Sequence, residues 1–217
     1  MPSPAAIKAA SGLGALGAIG GGGAALYKSE LFKIKTTLGE VVKKDKWTLL
    51  TSSDSSHISK ILEAYKKSDP SKPTLLFSAF TGTEDKASEK LLEECQKASN
   101  KLSDDLNKDT LLKQIKKWCV IPKTVEQRLK DLGSTALSTT APSGSATERT
   151  EWVEKGKTHH GDNSNKIKEV NTTGDQNNDA KAVREACIKK NAINSYDEDF
   201  EDALKASTLW CSIPSNK

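Results

Sequence analysis

The chain is poor in the residues from which most active sites are built. It has three histidines, His57, His159 and His160, and none stands at a fixed spacing from a Ser or Cys that it would activate. It contains no GxxxxGK[ST] loop, no HExxH and no GxSxG, so the common phosphate cradles, zinc-protease helices and hydrolase turns are missing. Aromatics make up 5 % and apolar residues 35 %, which limits the core that 217 residues can build. Charge of one sign is lacking too. Thirty-three basic residues against 29 acidic ones leave a net +4, without the clustered basic face of a nucleic-acid reader. We therefore expect no enzyme activity, no cofactor, no metal and no nucleic-acid partner. Two local features are weighed against this. His159-His160 could hint at a metal, but adjacent histidines point apart on regular elements, and solvated loop histidines are the expectation. The acidic run Asp197-Glu198-Asp199 with Glu201 and Asp202 lacks the spacing and Gly of an EF-hand, and reads as a helix-starting cluster.

What the chain does have is a repeat. Trp118-Cys119-Val120-Ile121-Pro122 returns as Trp210-Cys211-Ser212-Ile213-Pro214, 92 positions later. Cys95 lies 24 residues before Cys119, and Cys187 lies 24 before Cys211. Laying 91–122 over 183–214 without a gap gives 11 identities in 32 positions. Trp and Cys number only four each, so their alignment points to an internal duplication, with Trp118, Pro122, Trp210 and Pro214 as its anchors. Four cysteines allow three disulfide connectivities. The repeat favours Cys95–Cys119 with Cys187–Cys211, since a duplicated unit should carry its own bridge. Four buried thiols in reduced form are the alternative, and the compartment decides between them.

The N-terminus carries a second signal. Residues 9–27 form a run of 19 uncharged residues, seven of them Gly and six Ala. About 20 residues span a bilayer as a helix, and small side chains let such helices pair closely. An uncleaved membrane anchor is the expectation, with a cleaved signal peptide or a flexible tail as the alternatives. The same run holds a literal GxGxxG, Gly12 to Gly17, but no strand precedes it, so it carries no dinucleotide reading. Lysines from Lys28 to Lys46 then decorate a helical stretch, which reads first as an ordinary solvated face and otherwise as one suited to anionic lipid on a cytoplasmic flank.

Helical spacing dominates the remainder. Trp47 opens a first unit with Ile58, Ile61, Leu62 and Tyr65 on one face. Thr83 is a candidate cap for a helix carrying Leu91, Cys95 and Ala98, and a turn at 104–109 leads to a helix ending at Trp118. Two antiparallel helices would bring Cys95 and Cys119 near one level. A short helix from Thr124 ends at Gly133. Residues 134–150, rich in Ser, Thr, Ala, Pro and Gly, read as a flexible linker. Trp152 reads as the counterpart of Trp47, 156–179 as a long exposed loop, and two more helices as a second, poorer hairpin in which Ser207 replaces Ile115. The expected fold is all-α: an N-terminal anchor helix (1–27), a first helical unit (28–133), a linker (134–150) and a shorter second unit (151–217).

The small-residue stretch Ala5–Tyr27, the Trp47-Thr-Leu-Leu opening, and Trp118-Cys119-Val-Ile-Pro122 followed by Thr124-Val125 and Arg128-Leu129 resemble the large lineage-specific paralogous protein families of haemotropic mycoplasmas, small bacteria living on red blood cells. The resemblance implies an exported surface protein, varied between paralogues for immune evasion or host attachment. It brings no catalytic residues with it. The expected protein sits in the cell membrane by a single pass through residues 5–27, with most of the chain outside and a host surface or immune ligand as partner. The alternative is a cytoplasmic-face adaptor that binds anionic lipid or partner helices.

Overall fold

A computed structural model describes residues 36–69, 71–72, 75–144, 147–162 and 164–214. The expected anchor lies outside these residues. Among them, no helix is long and apolar enough to cross a membrane. The described chain is mostly helical, with eight helices and one small two-stranded sheet. The helices are α1 (Leu38–Lys44), α2 (Ser55–Lys66), α3 (Ala87–Ser99), α4 (Lys108–Trp118), α5 (Val125–Asp131), α6 (Thr150–Gly161), α7 (Gln176–Asn191) and α8 (Phe200–Trp210). The strands are β1 (Ser134–Ala136) and β2 (Ser212–Pro214).

The helix starts show the duplication first. Thr37 caps α1 in a reciprocal box with Glu40, and Thr124 caps α5 in the same box with Gln127. Each helix buries an i, i+4 pair, Leu38 with Val42 and Val125 with Leu129. Each is followed by a residue in the left-handed region, Lys46 at φ +63° and Gly133 at φ +78°. Glycine adopts that conformation without steric cost, whereas Lys46 does not.

Backbone pairing extends the match through the whole fold. Thr37 bridges Leu102, and Thr124 bridges Asn194. Leu38 N–H donates to Lys101 C=O at 2.8 Å, and Val125 N–H to Ile193 C=O at 2.9 Å. Leu49 bridges Val120, while Ala136 pairs with Ser212 in the antiparallel β1–β2 sheet. Leu50 N–H donates to Cys119 C=O at 2.9 Å, and Leu137 N–H to Cys211 C=O at 2.8 Å. Partners in the opening half of each unit are 87 residues apart, as 124 is from 37, and those in the closing half 92 apart, as 194 is from 102. The units are therefore 36–122 and 123–214.

This redraws the expected boundaries. Helix α5 opens the second unit instead of closing the first. The linker expected to be flexible is the second unit's version of the stretch after α1. Its β1 pairs with β2, and its Glu148 is buried on α7. There Arg184 Nε reaches both Glu148 carboxylate oxygens at 3.0–3.1 Å, and Nη1 donates to Thr139 C=O. A Ser/Thr-rich composition conceals such anchoring because one buried ion pair and three strand residues leave little hydrophobic pattern. Trp47 corresponds to Ser134, not to Trp152, which occupies the place of Ile58 on the first helix of the other hairpin. The cap expected at Thr83 also moves. Thr81 and Glu84 form a turn in which Thr81 N–H and hydroxyl both donate to Glu84, and α3 starts three residues later.

The largest correction concerns 156–179. Residues 156–161 are the last turns of α6, and Ile167, Val170, Asp179 and Ala180 are buried. Gly156 is the reason that α6 can lie on α7. A Cβ there would fall 2.6 Å from Ala180 N and 2.8 Å from the Asp179 carbonyl carbon. Both are backbone atoms, so nothing can give way.

Core residues form two clusters. The first unit supplies most of one, but Phe200 and Ala203 of the second unit belong to it. The other gathers Trp152, Ile167, Val170, Val183 and Trp210. Gly156→Ala is expected to destabilise the fold by about 3 kcal/mol, the upper range for a forced overpacking. Gly161→Ala, where an added Cβ meets nothing within 4 Å, should leave stability near that of the unaltered chain. Chemical denaturation of both variants checks this.

Candidate functional site

Each unit closes on the same corner. Trp118 and Trp210 are buried at the ends of α4 and α8, and a buried indole N–H needs an acceptor. Trp118 Nε1 donates to Leu75 C=O at 2.6 Å, and Trp210 Nε1 donates to Asn165 C=O at 2.7 Å. Against each indole edge stands a ring from the last turn of α2 or α6. Tyr65 meets Trp118 with centroids 4.8 Å apart at 63°, and His159 meets Trp210 at 4.8 Å and 66°. Both rings accept from the backbone two residues past the carbonyl that holds the indole. Phe77 N–H donates to the Tyr65 hydroxyl at 2.7 Å, and Ile167 N–H donates to His159 Nε2 at 2.9 Å. The Tyr65 hydroxyl in turn donates to Phe80 C=O at 3.2 Å.

Burial sets the charge state of both rings. It pushes the Tyr65 phenol up to about 12, against the Phe77 hydrogen bond. It pushes His159 below the usual histidine range, with Lys166 adding to the effect and Asp162 and Asp179 opposing it. His159 is thus neutral near pH 7. Its Nε2 lone pair is taken by Ile167, which leaves the proton on Nδ1. The histidine expected in a solvated loop is instead fully buried on a helix, with no lone pair for a metal or a substrate. His160 beside it is exposed, with Nδ1 3.8 Å from Asp179 Oδ2. Among the described residues, no group of three His, Cys, Asp or Glu stands close enough to hold a metal.

The disulfides flank the tryptophans. Cys95 on α3 joins Cys119, and Cys187 on α7 joins Cys211, with Cα atoms 5.2 and 5.5 Å apart. All four cysteines are paired and buried. Each bridge closes a loop of about 25 residues, worth about 3 kcal/mol in the chain-entropy account. Of the other anchors, Pro122 is half-buried at the passage between units, and Pro214 pairs with Ser134 at the exposed end of β2.

Outside each corner lies a groove between the strand segment and the last turn of α3 or α7. The first, about 280 Å³, is lined by Leu49 to Ser52 with Gln96, Ser99 and the Cys95–Cys119 bridge. The second, about 550 Å³, is lined by Ala136 to Thr140 with Ile188 and Asn191. Ala136, Ile188 and Asn191 are the repeat counterparts of Leu49, Gln96 and Ser99, so the duplication preserves the groove while changing its lining. Both grooves offer hydroxyl groups, and the second adds the Glu126 side chain beside Thr124. Comparison with known proteins finds no matching family model, no similar curated protein and no similar solved structure.

The sequence reading selected Trp118, Trp210 and the four cysteines, and the fold brings these together in pairs, one set per unit. It missed Tyr65 and His159 as counterparts, because phenol and imidazole share only the ability to accept one hydrogen bond. The signal was their common place one helix before the repeated cysteine.

The buried histidine predicts a pH dependence. In the unfolded chain the ring takes up a proton near pH 6.5, whereas in the fold it resists. A lowered folded value means that the stability is present above about pH 6.5 and is lost as pH falls through the folded value. Melting temperature should therefore fall between neutral pH and pH 5, and His159→Gln, which keeps an acceptor but does not titrate, should flatten that part of the curve.

Proposed function

We propose that the chain is a non-enzymatic, membrane-anchored surface protein. Residues 5–27 hold it in the membrane by a single pass. The disulfide-stapled units stand outside the cell and present their grooves and Ser/Thr/Asn-rich loops to a host surface or an immune ligand. The observation that carries this reading is the pairing of all four cysteines into two buried bridges at repeat-equivalent places. Bridges of this kind persist in oxidising surroundings, whereas a cytoplasmic adaptor would keep its thiols reduced. The 19-residue uncharged run ahead of the units and the resemblance to surface families of haemotropic mycoplasmas support the same placement.

Intact cells treated with a membrane-impermeant thiol blocker and an external protease provide the test. We expect no blocker on any of the four cysteines, intact Cys95–Cys119 and Cys187–Cys211 peptides, and digestion of the domain from outside. Four free thiols, or a domain that resists protease until the cells are lysed, would overturn the reading.

A further inference from the structure

The joint between the two units supplies a template for a second joint. At the internal joint, Asp45 at the end of α1 accepts from Arg128 of α5, with Arg128 Nη2 2.5 Å from Oδ1 and Nη1 2.7 Å from the Asp45 carbonyl. Lys117 at the end of α4 donates to Asp197 C=O at 3.2 Å, and the Glu198 carboxylate beside it offsets part of the cost of burying that lysine. The first unit thus presents a closing face with Asp45 and Lys117, and the second an opening face with Arg128 and Glu198. Each unit has both faces. The closing face of the second unit and the opening face of the first have no partner within the described residues.

The repeat registers say what stands on those two free faces. Leu132 takes the place of Asp45, and Leu209 that of Lys117. On the other end, Val41 takes the place of Arg128, and Leu106 that of Glu198. Leu132 and Leu209 are 51 % and 45 % exposed, and Leu106 is fully exposed. These three are among five large apolar residues exposed in the described chain. The Asp45–Arg128 ion pair has thus become Leu132 and Val41, and the charges of Lys117 and of Glu198, whose own ion pair is with Lys72 at 3.1 Å, have become Leu209 and Leu106. Exposed leucines scattered at random would not fall on matched positions of two opposite faces. Single surface leucines need no explanation, but matched ones do.

We propose that copies of this chain associate head to tail, the closing face of the second unit in one copy seating on the opening face of the first unit in the next. The contact repeats the internal joint, with Leu132 against Val41 and Leu209 against Leu106. The aromatic contact of the internal joint, Trp47 with Phe200, is replaced by Ser134 and Lys108, so the joint between copies is the weaker one and is reversible. A head-to-tail contact leaves one free face at each end, so association proceeds to short chains or a ring instead of stopping at a symmetric dimer. Apolar pairs also make it insensitive to salt. The inference does not depend on where in the cell the protein sits.

Sedimentation velocity of the full-length chain over a concentration series tests this. The unaltered chain should form species larger than a dimer. Leu106→Glu and Leu209→Lys should each weaken association by at least about tenfold, because each sets a charge against an apolar partner. Neither should alter the melting temperature, since both side chains are exposed. A mixture of the two single variants should associate again beyond a dimer, because their unaltered faces fit each other and the charges introduced by L106E and L209K are of opposite sign. The double variant, which sets opposite charges at the places of Lys117 and Glu198 on facing copies, should regain association. A monomeric unaltered chain, association unchanged by the single variants, or loss of association on altering one face but not the other would overturn the proposal.

Discussion

Each unit is built around one obligation: a buried indole N–H must find an acceptor. Trp118 and Trp210 meet it with a loop carbonyl, which fixes the path of the loop after α2 and after α6. The loop returns a backbone N–H two residues later to the ring on the preceding helix. One tryptophan thereby ties the end of the last helix, the loop and the end of the first helix into a single knot. The adjacent disulfide adds the third helix. Leaving such a buried donor unpaired would cost about 1–3 kcal/mol, comparable to the benefit of the disulfide itself.

The two units reach this arrangement with different side chains, and the differences compensate. Where α2 carries Ile58 and Leu62, α6 carries Trp152 and Gly156, one larger and one smaller residue a turn apart. The glycine lets α6 lie directly on the backbone of α7, and Trp152 is buried in the same cluster as Val183 and Trp210. Trp152 also satisfies its own indole, donating to Ser138 C=O at 2.9 Å. That bond draws the stretch after β1 onto the helix. Close backbone approach replaces side-chain interdigitation in the second unit. The expected poverty of its core is real at Ser207, which is fully buried where the first unit has Ile115.

The closing half of each unit was legible in the sequence because Trp, Cys, Ile and Pro survive there at one constant offset. The opening half was not. Its offset is 87 instead of 92, and its identities, Thr37/Thr124, Lys43/Lys130, Thr48/Thr135 and Leu50/Leu137, are all of common residue types. A capping box is a local signal and gives no hint that it belongs to a repeat. Between these halves the register shifts more than once, being 94 at Tyr65 and His159 and 90 at Phe77 and Ile167, since the first loop spans 12 residues and the second eight. Polar composition misled at 134–150 and 156–179 for a common reason. Buried Glu148 and Arg184 are paired across 36 residues, Asp179 accepts from Thr173 and Gly174 N–H and His159 from Ile167 N–H, and periodicity sees only apolar residues.

The way the corner is satisfied bears on what the surface can do. The loop contributes backbone groups to the knot, namely the carbonyls of Leu75 and Asn165 and the N–H groups of Phe77 and Ile167. Side chains at the exposed loop positions are not needed for it. The closed loop and the two disulfides hold the path whatever residues face solvent. The duplication already illustrates this latitude, since Leu75 and Asn165 serve the same function with unlike side chains, and the two grooves keep their position while exchanging Leu49 for Ala136 and Gln96 for Ile188. A scaffold whose loops are read through backbone atoms tolerates extensive surface change without loss of fold. That latitude follows from the tryptophan corner together with the disulfide beside it.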